Sequence, residues 1–187
     1  MEKDGRNSLP EGFKVLIPKE SLEKRIREIA EEVDKWFDPK NWVILAVLEG
    51  ARPFADKVVK NLSSCPKWYP LQVSSYEGGF ESTGKVRIVS GLDEKIIKGK
   101  HVLVIEDIVD TGRTVAFLKD YIKSKGAVSF RVATLLSKPS RRVIDVSNEV
   151  SIIGFEIPNL FVIGFGLDLQ GEYRDLPMIG VLEKDNG

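Results

Sequence analysis

The chain has 187 residues, 42% hydrophobic and 30% charged, with 28 basic side chains balanced by 28 acidic ones. That length and balance suit one globular domain with a proper core, and zero net charge argues against a protein whose main work is to grip nucleic acid. A single cysteine, Cys65, and a single histidine, His101, exclude an intrachain disulfide, a CxxC site, a zinc cluster and Cys–His catalysis.

Residues 1–12 are a polar leader without the apolar core of a signal peptide, and no apolar run is long enough to span a bilayer, so the expectation is a cytoplasmic protein with no membrane partner. A short strand over 13–17 follows. After Pro18, Leu22, Ile26, Ile29, Val33 and Trp36 recur at three- and four-residue steps. That spacing predicts a helix with one apolar face, Ser21 as its N-cap and Asp38-Pro39 as its stop. Residues 42–48 (WVILAVL) form a continuous apolar run, the mark of a strand covered on both faces. Pro53 then opens a second helix lined by Phe54, Ala55, Val58, Val59 and Leu62.

A connection over 63–70 leads to a strand over 71–76. The glycine-rich, polar stretch 77–84 (EGGFESTG) reads as a mobile loop, with 86–89 as the far side of a hairpin. His101, read as structural, begins a strand over 101–105. A tight polar turn over 106–112 follows, then a helix with Val115, Leu118, Tyr121 and Ile122 on one face and Gly126 as its cap. A strand over 128–135 completes a βαβ unit, which requires a parallel pair. Short strands over 152–157, 161–165 and 178–182 end the chain. The expected fold class is α/β, a central mostly parallel sheet flanked by helices.

The centre of the chain carries the chemistry. In VLVIEDIVDTGRTV (102–115), Glu106 and Asp107 end a buried strand, Asp110 sits in the turn, and Thr111, Gly112, Arg113 and Thr114 open a helix. Open α/β sheets bind ligands beyond the carboxyl ends of their strands. A helix start offers unpaired N–H groups and a positive dipole end to a phosphate dianion. Gly112 allows close backbone approach, and the threonine hydroxyls can donate. Paired carboxylates beside a phosphate suit sugar hydroxyls, Mg²⁺, or both. Gly164 and Gly166 start something like a dinucleotide fingerprint but lack its third glycine, and no P-loop motif is present.

The 102–114 segment resembles the phosphoribosyl-diphosphate (PRPP) signature of the type I phosphoribosyltransferases, and Asp110 makes it most similar to their hypoxanthine-guanine branch. The likeness extends over about 40–182. It implies one domain over 1–187, with a small base-binding hood built mainly from about 154–187 and the amino-terminal segment. Leu48, Glu49 and Gly50 resemble the diphosphate-binding loop, whose 48–49 peptide the family tends to hold cis. Lys or Arg often stands in the family at position 49, where a carboxylate would repel the anion. Ser75 and Tyr76, with the loop that follows, resemble the lid. Lys138 (in LLSKPSRR) matches the lysine that reads the purine's exocyclic oxygen. Phe161 matches the stacking aromatic and Val162 the residue whose backbone contacts the base. Asp168 and Arg174 match groups near the metal and diphosphate, and Asp168 is also expected among the purine-binding residues.

The resemblance further implies Mg²⁺ held by Glu106, Asp107 and Asp168, a 5′-phosphate cradle over 110–114, and Asp110 as general acid–base at the purine. Its substrates are PRPP and a 6-oxopurine, its products IMP or GMP with diphosphate, and its assembly a homodimer or homotetramer. Two alternatives stay open at this point: an RNA-binding regulator on the same fold, and a sister enzyme preferring xanthine.

Overall fold

The computed structural model describes residues 9–76, 85–90 and 92–182. In chain order the elements are β1 (Phe13–Ile17), α1 (Lys19–Asp34), β2 (Trp42–Leu48), α2 (Arg52–Asn61), β3 (Trp68–Tyr76), β4 (Lys85–Ser90), the one-turn α3 (Glu94–Ile97), β5 (His101–Val109) and α4 (Arg113–Ser124). They continue with β6 (Ser129–Ser137), a 3₁₀ turn (Pro139–Arg141), β7 (Val150–Glu156), β8 (Val162–Ile163) and β9 (Ile179–Leu182).

Six strands form the main sheet in the order β4-β3-β2-β5-β6-β7, parallel throughout except where β4 returns against β3. A separate sheet, β1-β9-β8, joins the amino-terminal strand to the carboxy-terminal segment, with Phe13 opposite Leu182 and Val162 opposite Val181.

The continuous apolar runs are resolved by the two-residue period of a strand. Ile44 and Ala46 of β2, with Leu103 and Ile105 of β5, face the core beneath α1 and α2, where Leu22, Ile26, Ile29, Phe54 and Val58 are buried. Val43, Leu45 and Val47, with Val102 and Val104, face the other core, closed by Val115, Leu118 and Ile122 of α4. Each fully buried aliphatic side chain contributes about 1.5–3 kcal/mol relative to an exposed one. Helices on both faces therefore bury the middles of β2 and β5, the strands that carry the site.

Several sequence expectations are corrected. Ser21 is not the N-cap of α1; Pro18 holds that position in an extended conformation without a side-chain cap, and the helix starts at once behind it. β3 begins at Trp68, not 71, and includes Pro70. Its stretch before Gln72 has β2 on one side only, because pairing with β4 starts at Gln72, and such an edge position tolerates proline. β5 does not stop at Ile105. Glu106, Ile108 and Val109 pair with Thr134, Leu136 and Ser137, so the ladder with β6 carries the acidic residues inside the strand. β8 is confined to Val162–Ile163 and does not span 161–165; Phe161 lies outside it, 60% exposed.

Candidate active site

Strand order fixes where a ligand can sit. β2 and β5 are neighbours, yet the chain leaves β2 towards β3 and leaves β5 towards β6, on opposite sides. Their carboxyl ends thus flank the topological switch point, where connections diverge and open a crevice. The loop after β2 carries Leu48, Glu49 and Gly50; the end of β5 carries Glu106, Asp107 and Asp110.

Glu106 is buried, and its Oε2 has no hydrogen-bond partner among the described residues. Burial pushes its carboxyl well above the ordinary carboxylate range, and the adjacent Asp107 carboxylate adds to the shift. Asp107 is half-buried and is raised too, chiefly by burial, while hydrogen bonds and the Arg174 charge act in the opposite direction. Its Oδ1 accepts from the Ile108 N–H at 2.7 Å. An acceptor buried without a donor, beside a second acid, is an arrangement that a hard cation or sugar hydroxyls would satisfy.

A cavity of about 240 Å³ is lined by Glu106, Asp107, Ile108, Val109, Asp110, Thr111, Gly112, Thr114 and Val115. Its floor is the start of the twelve-residue α4, whose first N–H groups have no partner within the helix. Gly112 is the N-cap, at φ 85°, and a Cβ there would meet the Ile144 carbonyl oxygen at 2.5 Å. Both the left-handed backbone and the close approach require glycine. Arg113 does not line this cavity, and its backbone N–H donates to Thr111 Oγ1 at 3.4 Å.

The loop after β2 is built on the backbone. The Leu48–Glu49 peptide is cis, as the resemblance implies. A Cβ at Gly50 would fall 1.6 Å from Asp107 Oδ2, so the absence of a side chain there is what lets the Asp107 carboxylate occupy its place. Gly166, at φ 99°, presses on the same loop; a Cβ there would meet the Gly50 carbonyl oxygen at 2.0 Å. Arg174 donates to the Gly166 carbonyl at 2.5 Å and pairs with Asp168 at 2.6 Å, while Asp168 also accepts from the Gly171 N–H at 2.7 Å. The structure thus brings 48–50, Asp107, Asp168 and Arg174 to one place. It does not gather three acids: among the described residues no group of three or more His, Cys, Asp or Glu could hold a metal ion, and Asp168 is engaged by Arg174.

Glu49 is not left to face an anion alone. Arg52, in the first turn of α2, reaches back to its Oε2 at 3.2 and 3.3 Å and lies over the Trp68 ring, 5.7 Å from its centroid. Leu48, Glu49, Arg52 and Trp68 line a second cavity of about 370 Å³ with Pro70, Gln72 and Ser90.

The residues expected at the purine, Lys138, Phe161 and Val162, line neither of these two cavities. Lys138 is 9% exposed and its N–H donates to the Val109 carbonyl at 3.0 Å, which ties the end of β6 to the end of β5. The Ile157 N–H donates to the Ser137 carbonyl, so the segment leading to Phe161 starts beside Lys138. Phe161 presents an exposed ring, whereas Val162 is 6% exposed and paired in β8. Ser75 and Tyr76 are the last residues of β3, and the stretch 77–84, expected to form the lid, lies outside the described residues.

Three arginines of the site escaped the sequence reading. Arg52 supports Glu49. Arg141 Nε lies 3.3 Å from Asp110 Oδ1, and Arg142 donates to Ser137 Oγ at 2.9 Å. The double arginine behind Lys138 was the available signal, but only the fold shows that it turns back onto the β5 loop.

Residues 17–170 match the phosphoribosyl transferase domain family. The chain belongs to that family, and its fold is the type I phosphoribosyltransferase fold. Its relatives narrow the class. The hypoxanthine-guanine phosphoribosyltransferase of Lactococcus lactis subsp. lactis is 38% identical over 172 residues, covering 92% of both chains. The enzyme of the same name from Streptococcus thermophilus is also 38% identical, over 92% of this chain and 94% of that one. Among solved structures, a hypoxanthine phosphoribosyltransferase from Staphylococcus aureus superposes with a TM-score of 0.80 at 36% identity, covering 91% of each chain. A hypoxanthine-guanine phosphoribosyltransferase from Bacillus anthracis gives 0.81 at 34% identity, over 91% of this chain and 98% of that one.

Proposed function

We propose that the chain converts hypoxanthine or guanine and PRPP to IMP or GMP and diphosphate, as a cytoplasmic purine-salvage enzyme. The observation that carries this reading is the juxtaposition at the switch point of a helix start, the buried Glu106 with the half-buried Asp107, and a backbone loop backed by Arg174.

In this reading the N–H groups at 111–114 and the Thr111 and Thr114 hydroxyls hold the 5′-phosphate, and Glu106 and Asp107 hold the ribose hydroxyls. The main chain of 48–50 and the Arg174 guanidinium receive the diphosphate. Phe161 stacks on the purine, the Val162 main chain contacts its edge, and Lys138 reads its oxygen. Ammonium is donor-only, so it favours a ring carbonyl over an amino group, which selects hypoxanthine or guanine against adenine. The β1-β9-β8 sheet with the segment around it forms the base-binding hood of a single domain.

The reaction is displacement at the anomeric carbon: a purine nitrogen forms the new C–N bond as the C–O bond to diphosphate breaks, through an oxocarbenium-like transition state. Asp110 accepts the proton from the purine's other imidazole nitrogen in this direction and returns it in reverse, a contribution of about 10²–10⁴-fold. Ser75, Tyr76 and the lid exclude water, which would otherwise hydrolyse PRPP. Glu106 and Asp107 suit Mg²⁺, which takes one or two carboxylates together with substrate oxygens, and the partnerless Glu106 Oε2 supports that fit. When bound, the ion neutralises the charge of the departing diphosphate. Asp168, held by Arg174, fits the edge of such a site. The family likeness also supports a dimer or tetramer, which sedimentation measures directly.

A spectrophotometric assay with PRPP, Mg²⁺ and each purine in turn tests the reading. Nucleotide should form from hypoxanthine or guanine and not from adenine. Turnover with adenine would refute the role of Lys138; none with any base, together with salt-sensitive RNA binding, would replace the enzyme by a regulator.

A further inference from the structure

The 138–144 segment crosses from the base side of the site back onto the β5 loop. Its Lys138 N–H is bonded to the Val109 carbonyl, and its Val143 and Ile144 N–H groups both donate to the Thr111 carbonyl at 3.0 Å. Gly112 packs against the Ile144 carbonyl, and Arg142 ties the segment to Ser137. The strap thus holds the main chain on either side of Asp110. Within it, Arg141 alone reaches the Asp110 side chain, through Nε to Oδ1 at 3.3 Å; Oδ2 has no protein partner among the described residues.

We propose that Arg141 is a positioning residue for this reaction: it fixes Asp110 by one carboxylate oxygen and leaves the other for the purine's proton. The inference rests on the reading of Asp110 as the proton-transfer group. A carboxylate on a turn otherwise rotates freely about its side-chain bonds, and proton transfer needs a held geometry. The other charged groups nearby do not reach the Asp110 carboxylate: Glu106 and Asp107 face the ribose side, Arg142 donates to Ser137 through one nitrogen while its buried Nη1 has no partner among the described residues, and Lys138 belongs to the base. The pair is open to solvent, Arg141 47% and Asp110 38% exposed, so it adds little to stability and is screened by salt. Salt therefore separates positioning from a merely structural role.

The experiment measures single-turnover rates at saturating PRPP and hypoxanthine for the wild type, Arg141→Gln, Arg141→Lys and Asp110→Asn, in low and high salt. Arg141→Gln should slow the step roughly two- to fivefold at low salt, the scale of an exposed ion pair, with the KM for PRPP and the Tm unchanged. Arg141→Lys should restore most of the rate. The wild-type rate should fall towards that of Arg141→Gln as salt rises, while the variant's own rate stays flat. Equal rates for wild type and Arg141→Gln, or a loss that neither lysine repairs nor salt reproduces, would overturn the proposal. If Asp110→Asn is inactive while Arg141→Gln is unaffected, only this inference fails. If Asp110→Asn keeps the wild-type rate, the reading of Asp110 fails and takes this inference with it.

Discussion

The two loops that leave the switch point are built on opposite plans. The loop after β5 is built from side chains and a helix start: three acids, two threonines and one left-handed glycine within 106–114. The loop after β2 is built on its main chain: a cis peptide, a glycine whose missing Cβ makes room for Asp107, and an ion pair that cancels its one charged side chain. A dianion bound at a helix start can be read from residue types, because that chemistry requires particular ones. A loop that binds through backbone N–H groups leaves almost no trace in composition.

The comparison breaks first at Asp110. If the β5 loop works through side chains, Asp110→Asn should slow single turnover by about 10²–10⁴-fold while PRPP still binds. Next comes Gly50. An added methyl must displace the Asp107 carboxylate, and a shift of that kind in a reacting site costs on the order of 10²-fold. Gly50→Ala and Asp107→Ala should therefore be non-additive, the double variant being no slower than the worse single one; additive losses would separate the two loops.

Glu106 gives a smaller effect on stability. Its folded-state carboxyl titrates well above the ordinary glutamate value of 4.5. The stability that its protonated form contributes is present below that value and is lost as pH rises through the elevated one. Metal-free protein should lose Tm over that interval, and Glu106→Gln should flatten the slope and raise Tm at neutral pH while lowering activity. A gain of about 1 kcal/mol would read as roughly 2–4 °C in a thermal melt. The smallest effect belongs to Glu49. Both partners of its pair with Arg52 are about half exposed, so Glu49→Gln should lower the KM for PRPP by only about two- to fivefold. A tenfold change would mean that the side chain, and not the backbone, governs this loop.

Legibility in the sequence follows the same divide. β1 and β2 are readable to the residue, and α1, α2 and α4 by their apolar faces, because burial imposes periodicity on residue choice. The extension of β5 past Glu106 and Asp107 to Val109 is not readable. Polar residues there mark a turn by composition, and only the neighbouring β6 supplies the ladder that keeps them extended. Phe161 misleads in the other direction: it sits in an apolar run yet lies outside the strand and is exposed. Arg52 and Arg141 look like surface charges in one dimension, since what they pair with depends on turns that the fold alone sets.

The central claim is that both loops hold the two ends of one substrate. A crystal structure of the chain with Mg²⁺ and PRPP tests it most directly. The account predicts the 5′-phosphate against the main chain of 111–114 and the diphosphate against 48–50 and Arg174, with Glu106 and Asp107 between them. A diphosphate lodged away from 48–50, with that loop untouched, would contradict it.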